Sequence, residues 1–506
     1  MRSPIQVSTG ALETTTLKRI IFLLALFFLG ALRATSLPLL VEAPDELWPQ
    51  WLRLEAVSPL PAGIEVIRFL PGTAPSGERA ELTFGGGGKI VAYVPLVPVA
   101  KLWDEREMAT KNDIDERKVR LVPLSAVSLP DVAVPVDGLL PDEPGYPLYQ
   151  KVTLQLESTN GRLQAWFRGL EEPSVQGAFS KTALAWIEAV GDVMPARGVD
   201  AMLLSEGGVE RVFRDTLPLL RGSQLLLGNL ESSTASHGTA ENKSYTFRFR
   251  PAAVQKLKDA GFSYLSLANN HSYDFGQEGF LETLASLSRC GIRTSGAGSD
   301  IQEASRPTVE WAGTQKVRIL SFGAFPVDKT GFDGRVSERA GSSRAGILWL
   351  DDAELTSAAK AFSPDAFNIA FVHGGTEWSR TTTQEQRRLY RELLNHGADL
   401  VLGAHPHVLQ GMEAVDGKLI AYSLGNFLFP GMEGTPGGQD SIILRLGIYE
   451  GKIRYVQSFS VRLRAGIVRR ASSEEAREEL LRQTRAVHAE PESSIEGWQK
   501  LAREAS

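Results

Sequence analysis

Polar side chains with metal-binding chemistry follow six apolar stretches of this sequence, where predicted strands end. Four of the seven histidines lie at these points, more than scattered structural histidines would supply. Because parallel strands end at one edge of a sheet, we expect these side chains to lie close together. The set comprises Asp192, Glu231, Asn269, Asn270, His271, His373, Glu377, His405 and His407.

This mixture of oxygen and nitrogen groups predicts a particular kind of cofactor. Carboxylate, amide and imidazole side chains suit manganese, iron or zinc better than calcium. The set contains no thiolate, which argues against a structural zinc site. Cys290 is the single cysteine, so an internal disulfide is excluded. The sequence therefore predicts divalent metal ions, and the number of ligands leaves room for two.

The segment His405-Pro406-His407 has a spacing that suits two neighbouring ions. On an ideal strand, residues two apart face the same side, so both imidazoles can point at one site. Pro406 between them stiffens the backbone. Two-metal sites hold their ions about 3.5–4 Å apart, often with a carboxylate between them, and Glu231 is the candidate bridge. Such a pair of ions activates water and binds an anionic oxygen.

Strands and helices alternate over residues 183–465, and this pattern must position the polar groups. It predicts a largely parallel or mixed sheet covered by helices. Helices are predicted at residues 251–260, 280–290 and 383–395. The predicted strands are residues 183–190, 224–227, 262–267, 368–372, 400–402 and 419–423, followed by strands within 456–467.

The remaining chain divides into three further parts. Residues 1–36 contain Lys18 and Arg19, an apolar run and then Ala-Thr-Ser, the pattern of a signal peptide or signal anchor. The short β-like runs of residues 37–182 predict a smaller β-rich or α/β domain of unclear function. Residues 466–506 predict a C-terminal helix and a polar tail.

The charge pattern bears on possible partners. The formal net charge is −6, and the sequence has no basic face or arginine-rich run. Nucleic acid is therefore not expected as a partner.

Eight motifs in order resemble the bacterial capsule-synthesis CapA family, which is linked to poly-γ-glutamate. They are GDVMPAR, GNLES, FRFRP, LANNHSYDFG, SGAG, HGGTEW, GAHPHVLQ and YSLGNF. The family is similar to the calcineurin-like metallophosphatases. The resemblance covers residues 183–465 and implies a four-layer α/β/β/α domain, which the smaller domain of residues 37–182 precedes.

The resemblance also implies a role for each polar group. Asp192 and His407 would bind a first metal, and Glu231 would bridge to a second. The ligands of the second metal would be Asn270, His373 and His405. His271 would be the general acid, held by Asp274. The residues expected to bind substrate are Arg197, Asn269, Arg248 and Glu377, with Arg250 as a further candidate for binding anions.

Three positions depart from the related patterns. Metallophosphatases usually have a histidine two residues after the first aspartate, where this chain has Met194. The bridging residue is glutamate rather than aspartate. After His373, the capsule family usually has an aromatic residue, whereas this chain has Gly374, with Trp378 further on. The first two departures predict that one metal site is weak or empty, and the third predicts a wider pocket.

The resemblance implies an extracytoplasmic protein that acts in the synthesis of a capsule or anionic envelope polymer such as poly-γ-glutamate. The first hypothesis is metal-assisted hydrolysis of an ester or amide bond. The alternative is a non-catalytic component that binds the polymer or assembles its export machinery. Membrane-bound capsule-synthesis or export proteins are the expected partners. A third hypothesis is that residues 37–182 bind a small solute and regulate the second domain.

The N-terminal pattern predicts that the chain is exported and cleaved near Ser36. N-terminal sequencing of the protein from an envelope fraction should then begin close to residue 37. Recovery of the intact chain from the cytoplasm would contradict export, whereas an intact chain in the membrane would identify a signal anchor.

Overall fold

The computed structural model describes residues 37–45, 47–74, 76–84, 86–102, 108–173, 184–472 and 475. The predicted signal segment and most of the predicted C-terminal helix lie outside these residues. Spatial contacts divide the chain into two units. Of the described residues, one unit contains those from 37 to 94 and from 149 to 173, and the other contains those from 95 to 148 and from 184 onward.

The elements before residue 170 form short strands and helices. In chain order they are β1 Leu37–Glu42, α1 Trp48–Val57, β2 Ile64–Phe69, β3 Arg79–Phe84, β4 Lys89–Lys101, α2 Lys111–Asp115, β5 Arg120–Pro123, β6 Asp131–Ala133, β7 Tyr149–Glu157 and α3 Gly161–Gly169.

The first unit is a mixed sheet with two helices. Strand β1 pairs in parallel with β2 and β3, and β3 pairs with β7 in antiparallel orientation. Trp51 from α1 and Leu163 from α3 are buried together with Leu82 and Leu154 from the sheet. The core of this unit therefore forms between one sheet and its helices.

The elements after residue 184 alternate between strands and helices. In chain order they are β8 Ala185–Val193, α4 Val199–Leu204, α5 Gly208–Phe213, α6 Leu217–Arg221, β9 Leu225–Leu230, β10 Ser233–Thr234, β11 Arg248–Phe249, α7 Ala252–Asp259, β12 Tyr264–Ser266, α8 Gly276–Arg289, β13 Ala297–Gly298, α9 Ile301–Ala304, β14 Thr308–Ala312, β15 Gln315–Ala324, α10 Gly334–Ser337, β16 Gly346–Ile347, α11 Asp352–Ala361, β17 Phe367–Gly374, α12 Gln384–Asn395, β18 Leu400–Ala404, β19 Met412–Val415, β20 Lys418–Ala421, β21 Asn426–Leu428, β22 Asp440–Tyr449, β23 Lys452–Arg464 and β24 Ile467–Arg470.

Two sheets dominate the second unit. The first has the order β12-β9-β8-β22-β23-β24, with β21 also paired to β8, and the second has the order β14-β15-β17-β18-β20-β19. Strands β12, β9 and β8 are parallel, and so are β15, β17, β18 and β20. Parallel strands end at one edge, so each sheet presents several strand ends side by side.

The two sheets pack face to face. Alternate residues of β8, such as Ile187 and Ala189, share one apolar cluster with Ile369 and Phe371 of β17. Because side chains along a strand alternate between faces, the intervening residues point outward. Val372 accordingly lies in a different cluster. Strands buried on both faces explain the nearly continuous apolar runs in the sequence.

Helices cover the outer face of each sheet. On the first sheet, Leu257 of α7 and Phe280 of α8 pack with Leu226 of β9. On the second sheet, Leu389 and Leu393 of α12 pack with residues of β17 and β18. The layers therefore run helix, sheet, sheet, helix, which confirms the predicted α/β fold class.

Helix α12 illustrates how the sequence sets the bounds of an element. The Thr383 side chain accepts a hydrogen bond from the Gln386 backbone N–H and so caps the first turn. Gly397 follows the helix with φ of 110°, a conformation that glycine adopts without steric cost. The helix ends at Asn395, as predicted.

Residues 95–148 belong to the second unit, although the predicted boundary lies near residue 182. Leu129 and Val132 pack into the apolar cluster between the two sheets. The buried Arg454 guanidinium also donates a hydrogen bond to the Val127 carbonyl. Strands β5 and β6 in this segment are only four and three residues long, so their apolar pattern gave little signal. Independent folding of residues 183–465 stays a prediction.

Two smaller observations complete the fold. Strand β24 extends the first sheet to Arg470, beyond the predicted limit at residue 465. Among the described residues, none of the helices combines the length and apolar character needed to cross a membrane.

Leu129→Ala should lower the free energy of unfolding of the second unit by about 2–5 kcal/mol, because it leaves a cavity between the sheets. Leu281→Ala is the control, since Leu281 is 38% exposed on α8 and should change stability by less than about 0.5 kcal/mol. Urea unfolding measures both values, and hydrogen exchange of β8 and β17 locates the effect. If Leu129→Ala leaves the hydrogen-exchange protection of β8 and β17 unchanged, residues 95–148 belong with the first unit instead.

Candidate metal centre

Strand ends from both sheets meet at one buried cluster. Asp192 is the penultimate residue of β8, and Glu231 directly follows β9. His373 lies near the end of β17, and His405 and His407 follow β18. All five side chains are buried, with Asp192, Glu231 and His373 fully excluded from solvent.

These five residues form two groups that could each hold a metal ion. One group is Glu231, His373 and His405, and the other is Asp192, Glu231 and His407. In each group the potential ligand atoms lie within 4.8 Å of one another. Glu231 belongs to both groups, so its carboxylate has the position of a bridge between two adjacent ions.

Asn270 lies beside the group that contains His373. Its Oδ1 is 2.8 Å from His373 Nε2, so the amide oxygen and the imidazole approach the same point. An amide oxygen adds a fourth potential ligand to Glu231, His373 and His405. The ligand role of Asn270 stays a prediction, but the structure brings the residue to the expected place.

The Glu231 carboxylate provides a test of whether these residues fit metal ions. Both of its oxygens are buried without a hydrogen-bond partner. Oε1 is 3.6 Å from His407 Nε2 and 3.7 Å from His373 Nε2, too far for hydrogen bonds. Two ligands bound tetrahedrally at about 2.1 Å from one ion are about 3.4 Å apart. The spacing therefore suits ligands that converge on a metal.

His405 offers a second sign of the same fit. Its Nε2 is buried and has no hydrogen-bond partner, while its Nδ1 is 3.1 Å from His373 Nε2. Burial, followed by the charge of His407, holds the pKa of His405 well below its ordinary value. Burial and the charge of His405 do the same for the pKa of His373. Both imidazoles are therefore neutral, the form that binds metals.

The pKa values of Glu231 and His407 shift in the opposite direction. Burial, reinforced by the charge of Asp192, raises the pKa of Glu231 well above its ordinary value. For His407, burial opposes the charged form, but the hydrogen bond and charge of Asp192 outweigh it and raise the pKa. A cation between these groups would relieve the repulsion between the two carboxylates.

The backbone around His405 and His407 differs from the expected strand. Strand β18 ends at Ala404, and the two histidines have φ of 98° and 59°. Such left-handed conformations of non-glycine residues cost about 1–3 kcal/mol and persist where the surroundings hold them. Asn426 Oδ1 lies 2.9 Å from His407 Nδ1 and fixes that ring. A strained turn, rather than a strand, directs both imidazoles to the site.

His271 lies beside the cluster and is paired with Asp274. Its Nδ1 is 2.7 Å from Asp274 Oδ2, and its Nε2 is 4.0 Å from Glu231 Oε1. The ring packs on Phe247, with centroids 4.3 Å apart. Burial lowers the pKa of His271 despite the nearby Asp274 carboxylate. The geometry suits a group that exchanges a proton at the edge of the site.

The four predicted substrate-binding residues differ in placement. Arg197 is exposed, and its guanidinium lies 4.8 Å from the Phe247 ring centroid, next to His271. Glu377 is exposed, and its charge contributes to the raised pKa of both Glu231 and His407. Both therefore lie at the rim of the site.

The other two have different surroundings. Arg248 is exposed and lies over the Phe275 ring at 4.4 Å. Asn269 is fully buried, and its amide donates to Asn229 Oδ1 and the Leu230 carbonyl. The structure does not bring Asn269 to the open side of the site. Arg250 Nε lies 2.7 Å from Asp200 Oδ2 at the surface, so the guanidinium forms an ion pair with that carboxylate.

Asn229 is a site residue that the sequence interpretation missed. Its Nδ2 donates to Asp192 Oδ1 at 2.9 Å and lies 3.1 Å from His373 Nδ1. It therefore connects an expected ligand of the first sheet with one of the second. The available signal was an amide within the otherwise apolar β9 segment LLLGNL.

Met194 replaces a ligand that related sites use, and its side chain lies elsewhere. It is fully buried in the apolar cluster beneath the helices of the first sheet. Among the described residues, the group around Asp192 consequently contains three potential ligands, Asp192, Glu231 and His407.

Two packed sheets with a shared carboxylate between two histidine-containing groups define a metallophosphatase-like domain. Residues 187–431 match the family described as bacterial capsule synthesis protein PGA_cap. Through that domain the chain is similar to this family, which confirms the resemblance seen in the eight motifs.

Three relatives show the extent of the similarity. The chain is 28% identical over 283 residues to the PGA biosynthesis protein CapA of Bacillus subtilis (strain 168), covering 55% of this chain and 71% of that protein. It is 28% identical over 264 residues to the capsule biosynthesis protein CapA of Bacillus anthracis, covering 51% and 62%. It is 26% identical over 277 residues to a probable polyglutamine synthesis accessory protein of Mycobacterium tuberculosis (strain CDC 1551 / Oshkosh), covering 47% and 72%.

His405→Ala should lose bound metal, whereas His271→Ala should retain it. His405 is one of few side chains in its group, so its removal leaves the ion poorly held. His271 is engaged with Asp274 and is predicted to act on protons. Elemental analysis of both purified variants decides the assignment. Equal loss would make His271 a ligand, and full retention in His405→Ala would remove His405 from the ligand set.

Proposed function

We propose that this protein acts outside the cytoplasmic membrane in the synthesis of an anionic envelope polymer, and that its buried site hydrolyses an ester or amide bond. The observation that carries the proposal is the shared Glu231 carboxylate, whose two oxygens have no hydrogen-bond partner between two groups of potential ligands. A structural core would pair or exclude such a carboxylate.

Asp192 and His407 would hold one ion, and Asn270, His373 and His405 would hold the other, with Glu231 shared. When bound, two divalent ions would supply Lewis acidity and activate water. His271 would present Nε2 on the side that faces Glu231 and would accept a proton there during turnover, while Asp274 would orient its ring through Nδ1–H. The proton would go to the leaving group of the bond that is cleaved.

The rim of the site supports a polymeric, anionic substrate. The exposed Arg197 guanidinium offers a cation beside the buried groups. Two exposed aromatic residues lie nearby, since the Trp378 ring is 5.1 Å from the His407 ring and Tyr245 stacks on Phe247. Trp378 is 41% exposed and Tyr245 is 65% exposed, so both could contact an extended chain. Poly-γ-glutamate fits this chemistry, and the names of the relatives refer to PGA biosynthesis, capsule biosynthesis and polyglutamine synthesis.

The location and partners follow from the N-terminal sequence and the family. A basic pair followed by an apolar run supports export across the cytoplasmic membrane. A protein that acts on a growing envelope polymer would work with the membrane-bound proteins that make or export it. Those proteins are therefore the proposed partners.

One observation favours a non-catalytic alternative, in which the site binds carboxylates of the polymer. Met194 lies in the apolar core, so the group around Asp192 has one potential ligand fewer than related sites. A weakly held ion at that position would favour binding over hydrolysis.

Turnover separates the two functions. The full chain, loaded with Mn²⁺ or Zn²⁺, should shorten poly-γ-glutamate or cleave a generic phosphodiester, and His271→Ala should reduce the rate by about 10²–10⁴-fold. His396→Ala is the control, because His396 binds the Glu392 carbonyl at the end of α12. Metal-loaded protein that retains the polymer without cleaving either substrate would establish the binding alternative.

A further inference from the structure

Lys243 carries a buried charge that the proposed chemistry does not use. Its side chain is only 2% exposed, although it lies in the connection between strands β10 and β11. An ammonium removed from water costs several kcal/mol unless it is paired and hydrogen-bonded. The groups around Lys243 therefore indicate what holds it there.

Three polar groups surround the Lys243 ammonium. Nζ is 2.6 Å from Asp274 Oδ1 and also donates to the backbone carbonyl of Asn270. Glu338 Oε1 lies 3.9 Å away, and the Phe332 ring centroid is at 4.6 Å. Lys243 thus contacts both the partner of His271 and the backbone of a predicted metal ligand.

Glu338 is a neighbour of a different kind. Its side chain is fully buried, and neither carboxyl oxygen has a hydrogen-bond partner. Burial raises its pKa to about 8, so the carboxyl group is mostly protonated at neutral pH. The charge of Lys243 is therefore directed mainly at Asp274, which is both closer and hydrogen-bonded to it.

The two oxygens of Asp274 have different hydrogen-bond partners. Oδ1 accepts from Lys243, while Oδ2 accepts from the Phe247 backbone N–H and lies 2.7 Å from His271 Nδ1. An ionised carboxylate only accepts hydrogen bonds, so Nδ1 of His271 must carry a proton. Nε2 is then the atom directed to the metal cluster.

We propose that Lys243 is a positioning residue that fixes the Asp274–His271 pair and the Asn270 backbone from behind the metal cluster. Its ammonium donates to Asp274 Oδ1, the other oxygen of Asp274 accepts from Nδ1–H of His271, and the contact with the Asn270 carbonyl holds the adjoining loop. One buried cation therefore sets the orientation of both the proposed proton donor and a proposed ligand. The inference rests on the placement of these groups beside the proposed site and requires no turnover.

Nitrogen NMR of the imidazoles tests this arrangement. The full chain has seven histidines, so histidine-selective ¹⁵N labelling gives few signals, and His271→Gln identifies the relevant one by its loss. Zn²⁺ is the metal used, since its filled d shell does not broaden the spectrum. We expect His271 to be protonated at Nδ1 in the wild-type protein. Lys243→Met should shift the ratio of its two tautomers by about tenfold toward Nε2, as the hydrogen bond loses its charge assistance.

Two further variants complete the experiment. Lys243→Arg keeps the charge and should retain the Nδ1-protonated form. Glu338→Gln is the matched control, because an amide replaces a mostly neutral carboxyl group of the same shape, and it should leave the tautomer unchanged. If Lys243→Met fails to fold, Lys243→Gln takes its place, because it removes the charge but keeps a hydrogen-bond donor, and it should shift the tautomer ratio in the same direction.

Three results would overturn the proposal. They are an Nε2-protonated His271 in the wild-type protein, an unchanged tautomer in folded Lys243→Met, and a shift in Glu338→Gln as large as the one expected for Lys243→Met. A protein that lacks hydrolase activity would leave these spectra equally readable, so failure of the proposed function and failure of this inference remain distinct.

Discussion

The architecture of the second unit depends on one buried carboxylate. Glu231 is inaccessible to solvent, faces the charge of Asp192, and has no hydrogen bond to either oxygen. In water such a group would be solvated, and in an apolar core it would be excluded. The nearby imidazoles of His373 and His405, whose pKa values burial holds low, and the imidazole of His407 give it the environment of a shared ligand. The two sheets and the turn after β18 hold these side chains in place.

Several amides and charges surround this carboxylate and maintain its geometry. Asn229 connects Asp192 with His373, and Asn426 holds the ring of His407. Lys243 and Asp274 secure His271 from the opposite side. Because these groups are buried, water cannot replace a lost hydrogen-bond partner. A change to one group therefore alters the hydrogen bonds of its neighbours. The geometry of the site therefore depends on this hydrogen-bond network as much as on the potential ligands.

The sequence predicted the groups that lie at strand ends, because apolar runs and polar motifs are local patterns. Asp192, Glu231, His373, His405 and His407 all lie where that pattern placed them. The fold class followed from the same alternation of strands and helices.

The sequence did not reveal features that depend on distant contacts. Lys243 meets Asp274 from 31 residues away, and no local pattern marks either the lysine or Glu338 as buried. The left-handed turn at His405 and His407 was hidden because neither residue is a glycine. Residues 95–148 carry the short strands β5 and β6, and Leu129 and Val132 pack with residues far along the chain, so the sequence did not show that this segment groups with the second unit.

The potential ligands come from both sheets, and this division has a consequence for the stability of the domain. Asp192, Glu231 and Asn270 lie at or after strand ends of one sheet, whereas His373, His405 and His407 lie at or after strand ends of the other. A bound ion would therefore link the two sheets, much as a disulfide would in a chain with more than one cysteine. Wherever the supply of metal ions varies, the free energy of unfolding of the whole domain would vary with it.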